Sequence, residues 1–209
     1  MRLVLTLAAA ALGAATAPAA DRKPNVIVFL SDDVGYGEYG FQGNKEIPTP
    51  HIDSIAKAGV RFTQGYVAAT YCSPCRAGLL TGRYPTRFGH EWNEGVLANP
   101  AVTFGLPLGQ RTMADRLKAA GYATCAVGKW HLGLTQPHWP EQQGFDVAFH
   151  CHPDPGPPGN YFSPYGVKPD GEPRGQQRVG TITDGAAGEY IVDRLADEAV
   201  KFIAENKGR

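Results

Sequence analysis

The alternation of apolar runs with capped amphipathic segments constrains the fold of this 209-residue chain more than any other feature of its sequence. The run VIVFL at 26–30 is continuously apolar, which is typical of a strand buried on both faces of a parallel sheet. The segment TPHIDSIAKAG follows, with Thr49 predicted as an N-cap, Pro50 at the first helical position and Gly59 after the helix. Alternating strands and helices indicate an α/β fold with a mostly parallel central sheet.

The segment RTMADRLKAAGYATCAVG contains the clearest helix and strand signals. Thr112 and Asp115 have capping-box spacing, Gly121 stands where a C-cap glycine would, and a buried strand is predicted after it. Three further elements are predicted: a strand over 60–69, a helix over 73–80 and an amphipathic helix over 189–205. Residues 153–180 are rich in Pro and Gly, which predicts a long functional loop or a linker.

The charges of the chain balance, with 20 Lys and Arg against 20 Asp and Glu. Without a basic surplus or a charged block, the sequence does not favour nucleic acid or a membrane surface as a partner. Residues 1–20 combine an early Arg2, an apolar stretch and small residues near the end, which is the pattern of a cleaved signal peptide. The sequence therefore predicts export to the periplasm or the exterior, no stable membrane insertion, and a mature chain over 21–209.

Two adjacent carboxylates, Asp32 and Asp33, follow the first apolar run. The carboxyl end of a buried strand is where open α/β sheets bind ligands. If the chain turns there, both side chains can face one hard cation such as Ca²⁺, which prefers oxygen ligands. The alternative is a pair of turn-forming aspartates, one of which caps a helix.

The motif CSPCR contains Cys72 and Cys75 and allows several interpretations. A redox dithiol needs both cysteines exposed at a helix N-terminus. A zinc site needs a second ligand pair with metal-like spacing, but Cys125 stands in a predicted buried strand and His150–His152 form an isolated cluster. A single nucleophile and two ordinary turn cysteines are the other possibilities. Spacing does not decide the disulfide pairing of Cys75, Cys125 and Cys151.

Lys129 and His131 follow the strand predicted after Gly121. They lie two positions apart, so they share a face if the chain is extended there. A cation beside an imidazole suits an anionic substrate, because one group holds charge and the other transfers protons. A surface lysine next to an incidental histidine is the alternative.

Together these motifs resemble the sulfatase family of the alkaline phosphatase superfamily. Residues 72–76, followed by Thr81-Gly82, are similar to the family's C-x-P-x-R…T-G signature, and residues 121–131 are similar to its second signature. The resemblance implies an alkaline-phosphatase-like three-layer sandwich with a mostly parallel central sheet. Residues 21–209 would be the N-terminal part of the catalytic domain, incomplete at the C-terminus. Cys75 departs from the pattern, because the family usually has Ser, Thr or Ala there.

The resemblance also implies a modified nucleophile and a metal ion. A separate maturation enzyme would convert Cys72 to Cα-formylglycine, whose hydrate offers one hydroxyl to attack sulfur and another to expel sulfate. Asp32, Asp33 and residue 72 would hold one Ca²⁺ ion, which binds sulfate oxygens and acidifies the attacking hydroxyl.

The remaining roles are implied in the same way. Arg76 would stabilise the charge of the hydrate, Lys129 would bind the sulfate, and His131 would hydrogen-bond the hydrate and accept a proton. The helix N-terminus near Ser73 would add backbone N–H dipoles for the anion. Because the family takes further metal ligands, a general acid and a second lysine from a later half, this chain alone is expected to be poorly active.

The implied function is hydrolysis of sulfate esters, arylsulfatase-like and directed at a sulfated small molecule or glycan. A phosphoesterase or phosphonate hydrolase of the same superfamily, an exported dithiol oxidoreductase and a non-catalytic binding module are the alternatives. Three aromatic residues of the long loop are candidates for stacking on a sugar or aryl ring, with ordinary packing as the other interpretation: Tyr161, Phe162 and Tyr165.

Overall fold

The computed structural model describes residues 23–93, 104–133, 136–150, 161–165 and 185–207. The chain divides into two compact units, residues 1–34 and residues 35–209. The predicted signal peptide lies outside the described residues, as does most of the predicted loop over 153–180. Within the part that the structure describes, no helix has the length and apolar character needed to cross a membrane.

The described part of the first unit, residues 23–34, forms no helix or strand. The strand predicted over 26–30 is therefore wrong in this structure, and its apolar side chains are exposed, Phe29 to 81%. A strand exists only where a neighbour accepts its ladder hydrogen bonds, and no described strand pairs with this run. The chain does turn after the run, since Asp33 has a left-handed φ of 54°.

Among the described residues of the second unit, four α-helices form, each close to its predicted position: α1 (Pro50–Ala58), α2 (Cys72–Thr81), α3 (Met113–Ala119) and α4 (Ile191–Glu205). Helix α3 begins at the predicted capping box, in which Asp115 N donates to Thr112 Oγ1 at 3.0 Å. Short 3₁₀ turns lie before α1 and between the helices: Gly40–Gln42, Pro85–Phe88, Gln136–His138 and Pro140–Gln143. The helix predictions are confirmed because capping residues and apolar spacing act locally.

Two short strands, β1 (Cys125–Val127) and β2 (Val147–Phe149), pair in parallel with Cys125 opposite Val147. This pair confirms the predicted α/β class with a parallel sheet. The sequence predicted β1, whereas the three-residue run of β2 gave too short a signal. The strand predicted over 60–69 is wrong here: no strand forms, and Phe62 and Tyr66 are 80% and 86% exposed.

Two apolar clusters hold the second unit together. The first joins α2 to the strands and to the segment after β1, and it consists of Ala77, Leu80, Leu106, Trp130, Leu132 and Ala148. The second lies where both strands end and α4 begins, and it consists of Phe149, Tyr165 and Ile191. Buried apolar contacts therefore fix helix α2 and the carboxyl ends of the strands. Each Å² of apolar surface removed from water stabilises the fold by about 25 cal/mol.

Candidate active site

Helix α2 begins at Cys72, and the amide of Ser73 in its first turn is already bonded within the chain. Ser73 N donates to Asn93 Oδ1 at 2.9 Å, and Cys75 N donates to the Tyr71 carbonyl at 3.0 Å. Pro74 has no N–H to donate. The predicted contribution of this helix N-terminus to anion binding is accordingly reduced, because Asn93, distant in sequence, occupies an amide that an anion would need.

The segment after β1 does not continue as an extended strand. Gly128 turns the chain with a φ of 88°, and His131 has a φ of 60°, which is unusual for a residue with a side chain. The condition under which Lys129 and His131 would share one face, an extended chain, is therefore not met at His131. In the structure Lys129 is half-buried and His131 is buried, 2% exposed.

Trp130, between the two predicted site residues, anchors this turn in the core. Its indole Nε1 donates to the His138 carbonyl at 2.8 Å, and its ring meets the Phe145 ring edge-on at 5.9 Å. Leu106 N also donates to the Leu132 carbonyl at 2.8 Å. These contacts make residues 129–132 a fixed turn rather than a surface loop.

Side chains of α2 hold the same turn through its backbone. Arg76 Nη1 donates to the Lys129 carbonyl at 2.6 Å, and Ser73 Oγ donates to the His131 carbonyl at 2.6 Å. The two sequence motifs, more than fifty residues apart, therefore meet at one place in the fold. The structure brings together the predicted residues Cys72, Arg76, Lys129 and His131 on one helix start and the turn bonded to it.

His90 lies behind this junction and was not singled out by the sequence. It is 3% exposed, its Nε2 is 2.8 Å from Ser73 Oγ, and its ring packs on Phe104 at 4.9 Å. Burial lowers the pKa of His90, a backbone hydrogen bond with Gly105 raises it, and nearby His138 lowers it further. No local signal could have identified His90, because its contact with Ser73 spans seventeen residues.

Asp32 and Asp33 belong to the first unit, where both side chains are exposed. The left-handed backbone at Asp33 breaks the alternation of a strand, so the condition for both carboxylates to face one ion is met locally. Their donor atoms are hard oxygens, which fit Ca²⁺ better than a soft metal. Two carboxylates supply fewer oxygens than the six to eight that Ca²⁺ usually takes.

The zinc interpretation of Cys75 receives little support from the second unit. Burial, assisted by the charge of Glu198, raises the pKa of Cys125 to about 11, so this thiol is a poor thiolate ligand. Within the described residues of this unit, no three His, Cys, Asp or Glu side chains lie close enough together to hold a metal ion. Residues 151 and 152 of the histidine cluster lie outside the described residues.

The aromatic residues predicted to stack on substrate divide into two groups. Tyr165 is fully buried and donates from its hydroxyl to Glu189 Oε1 at 2.7 Å, so it is a packing residue. Tyr161 and Phe162 are 53% and 50% exposed, and Tyr190 joins them with its ring 5.2 Å from that of Phe162. The exposed cluster, which we call the aromatic patch, therefore consists of Tyr161, Phe162 and Tyr190.

Comparison with known proteins agrees with this arrangement of motifs. The sulfatase family model matches residues 24–209. The chain is 46% identical to mouse steryl-sulfatase over 154 residues, which is 69% of this chain and 25% of that protein. It is 40% identical to pig N-acetylgalactosamine-6-sulfatase over 167 residues, which is 78% of this chain and 30% of that protein. The chain thus spans less than a third of the length of these relatives.

Solved structures give the same result at the level of the fold. The crystal structure of Ps i-CgsB in complex with k-i-k-neocarrahexaose superimposes with a TM-score of 0.70 and 35% sequence identity, covering 90% of this chain and 43% of that chain. This likeness, with the parallel strand pair, confirms the predicted alkaline-phosphatase-like α/β fold. Since the family model matches almost the whole chain and 35–46% identity extends over most of it, the chain belongs to the sulfatase family.

Proposed function

We propose that this chain is the part of a sulfate ester hydrolase that carries its nucleophile and its sulfate-binding side chains. The observation that carries the proposal is the junction between α2 and the turn at 129–131. Arg76 and Ser73 there hold the backbone on which the lysine and the histidine of the second motif stand. A lysine and a histidine fixed beside a helix that begins with the motif cysteine suit cleavage of an anionic ester.

The nucleophile in this proposal is Cys72 after its conversion to Cα-formylglycine by a maturation enzyme. The hydrated aldehyde supplies two hydroxyls on one carbon: one attacks sulfur and displaces the alcohol of the ester, and the other loses its proton and expels sulfate as the aldehyde re-forms. Arg76 is half-buried and positive, so it stabilises the negative charge of the hydrate at position 72, one turn earlier on α2. Lys129 holds the sulfate as a point charge, and His131 takes up and returns a proton at its imidazole.

As the resemblance to the family implies, Asp32 and Asp33 would hold one Ca²⁺ ion. The oxygen donors of both aspartates and the turn at Asp33 support this assignment. The ion would bind sulfate oxygens and lower the pKa of the hydroxyl that attacks. Calcium titration followed by calorimetry is expected to give a binding signal that Asp32→Asn and Asp33→Asn each weaken, with Asp197→Asn as the exposed-carboxylate control.

A sulfated carbohydrate is the proposed substrate class. Two relatives with such names support it, an N-acetylgalactosamine-6-sulfatase and a protein solved in complex with a neocarrahexaose. The aromatic patch offers exposed rings on which the apolar face of a sugar can stack. The steryl-sulfatase relatives support a steroid sulfate as the other substrate class. Hydrolysis rates measured in parallel on a sulfated sugar, an aryl sulfate and a phosphate monoester decide between these substrate classes and test the phosphoesterase alternative.

The first experiment is a peptide-level mass spectrum around Cys72 after co-expression with a formylglycine-generating enzyme. Conversion exchanges sulfur for oxygen and removes two hydrogens, a change that no disulfide imitates. We expect Cys72 to carry it and Cys75 to remain a cysteine. An unmodified Cys72 in a host that matures other sulfatases would contradict the proposal.

The neighbouring cysteine provides a matched control. The variant Cys75→Ser restores a residue that the family commonly has, so conversion of Cys72 and sulfate release should be retained. A dithiol oxidoreductase would instead lose disulfide exchange in the same variant.

Export of the chain, proposed from residues 1–20, is tested by the N-terminal sequence of protein recovered outside the cytoplasm.

A further inference from the structure

The N-terminal turn of α2 contains a buried serine with an unusual set of partners. Ser73 is 0% exposed, and its hydroxyl oxygen lies 2.6 Å from the His131 carbonyl and 2.8 Å from His90 Nε2. Its backbone N–H is taken by Asn93 at 2.9 Å. A buried serine at the second position of a helix does not need three long-range partners in order to form that helix.

The hydrogens of this group can be assigned from the number that each atom carries. A serine hydroxyl has one hydrogen, and it points to the His131 carbonyl, which can only accept. The hydroxyl has no second hydrogen for His90, so this arrangement needs the ring hydrogen of a neutral His90 on Nε2, although a backbone hydrogen bond with Gly105 also uses this ring. With the hydrogen on Nε2, His90 fixes the direction in which the serine hydroxyl points.

The backbone that Ser73 holds is in a conformation that needs support. His131 has a φ of 60°, which is disfavoured for a side chain of this size and persists only where surrounding contacts fix it. Its own carbonyl accepts from Ser73, and the next carbonyl, that of Leu132, accepts from Leu106 N. The direction of the His131 side chain follows from this φ, because rotation about N–Cα redirects Cβ.

We propose that Ser73 is a positioning residue, oriented by His90, that holds His131 in its left-handed conformation and so sets the imidazole in the active site. The inference rests on the proposed function for its catalytic consequence, since His131 is the proton acceptor there. Its structural part is independent of that function. Ser73 and His90 themselves do not contact substrate in this proposal.

The structural part is tested on the 209-residue chain by NMR. In Ser73→Ala, the Cα and Cβ chemical shifts of His131 are expected to leave the values of a left-handed residue. Ser163→Ala is the matched control, because Ser163 is also buried and its hydroxyl also donates to a carbonyl, that of Gly185 at 2.9 Å. Unchanged His131 shifts in a folded Ser73→Ala chain would overturn the proposal.

A measurement on the unsubstituted chain covers the case in which Ser73→Ala does not fold. The nitrogen chemical shift of His90 Nε2 at neutral pH is expected to show a bound hydrogen, and ring protons of His90 should give through-space contacts to the Ser73 Cβ protons. A bare Nε2 would mean that the serine hydroxyl points to His90 rather than to His131, which also overturns the proposal.

The catalytic part is read from steady-state rates of the formylglycine-bearing protein on an aryl sulfate. Misplacing His131 should lower kcat about tenfold to hundredfold in Ser73→Ala. The change in KM should be smaller, because sulfate is held by Lys129; Ser163→Ala should leave both constants near their starting values. Because this chain by itself is expected to be poorly active, the rates are compared as ratios to the unsubstituted protein, and without measurable turnover the NMR result decides the role of Ser73. An equal loss in Ser163→Ala would contradict positioning.

Discussion

Helices α1 and α2 belong to the same unit and were both predicted from sequence, yet they differ in how much of their surface is buried. Six of the ten residues of α2 are buried, whereas α1 has no buried residue. The apolar side chains Ile52 and Ile55 of α1 are 41% and 60% exposed. Amphipathic spacing is thus enough to form a helix, but burial requires an opposing surface, which α2 finds in the first apolar cluster.

The predicted N-cap residues of α3 and α1, Thr112 and Thr49, also differ in the contacts that they make. Thr112 accepts from Asp115 N within its own helix and donates to the Gln143 carbonyl at 2.7 Å. Thr49, predicted as the N-cap of α1, makes no side-chain bond to that helix's backbone. It accepts instead from Gly40 N at 2.8 Å and donates to Asp53 Oδ1 at 2.9 Å. A capping residue at the expected position can therefore serve a tertiary contact.

The largest expected effect tests whether buried and exposed apolar side chains contribute differently to stability. Leu106 is fully buried in the first cluster, so Leu106→Ala should lower the free energy of unfolding by about 2–5 kcal/mol. Phe62 is 80% exposed, so Phe62→Ala should change it by no more than about 0.5 kcal/mol. Urea unfolding followed by circular dichroism measures both. A cost at Phe62 as large as at Leu106 would mean that residues 60–69 are packed in solution.

A medium effect is expected at the caps. Thr112→Ala removes a cap from a buried site, so it should lower the free energy of unfolding by about 1–2 kcal/mol. Thr49→Ala removes partly exposed hydrogen bonds and should cost about 0.5–1 kcal/mol. The same unfolding measurement compares the two. Equal costs would indicate that the Thr49 contacts support α1 as strongly as a true cap supports α3.

The smallest effect concerns pH. Burial lowers the pKa of His90 in the folded chain, so the unfolded chain binds the proton more readily. Stability is therefore retained above about pH 6.5, the unfolded value, and is lost as the pH falls from there through the folded pKa. Unfolding free energies at several pH values should show this loss. In His90→Gln, the free energy of unfolding should depend less on pH. His51→Gln, an exposed control on α1, should keep the pH dependence of the unsubstituted chain. An equal pH dependence in all three proteins would refute the assignment.

Local rules predicted all four helices, the strand β1 and the parallel α/β class, because caps, apolar periodicity and short apolar runs act over a few residues. The strands predicted over 26–30 and 60–69 do not form in this structure, because a strand depends on a neighbouring strand that local sequence does not specify. The motif cysteine, arginine, lysine and histidine were likewise named from sequence. Their roles in catalysis and metal binding remain predictions.

The sequence by itself determined the family of this protein, its class of fold and the short motifs that carry its proposed chemistry. Only the tertiary structure decided that Tyr165 is a packing residue, that His131 has left-handed backbone, and that Ser73 and His90 stand behind it. The physical reason is distance along the chain. The residues of a motif are neighbours in the chain, whereas the contacts of the Ser73 hydroxyl reach His90 and His131, 17 and 58 positions away, and exist only after the chain has packed.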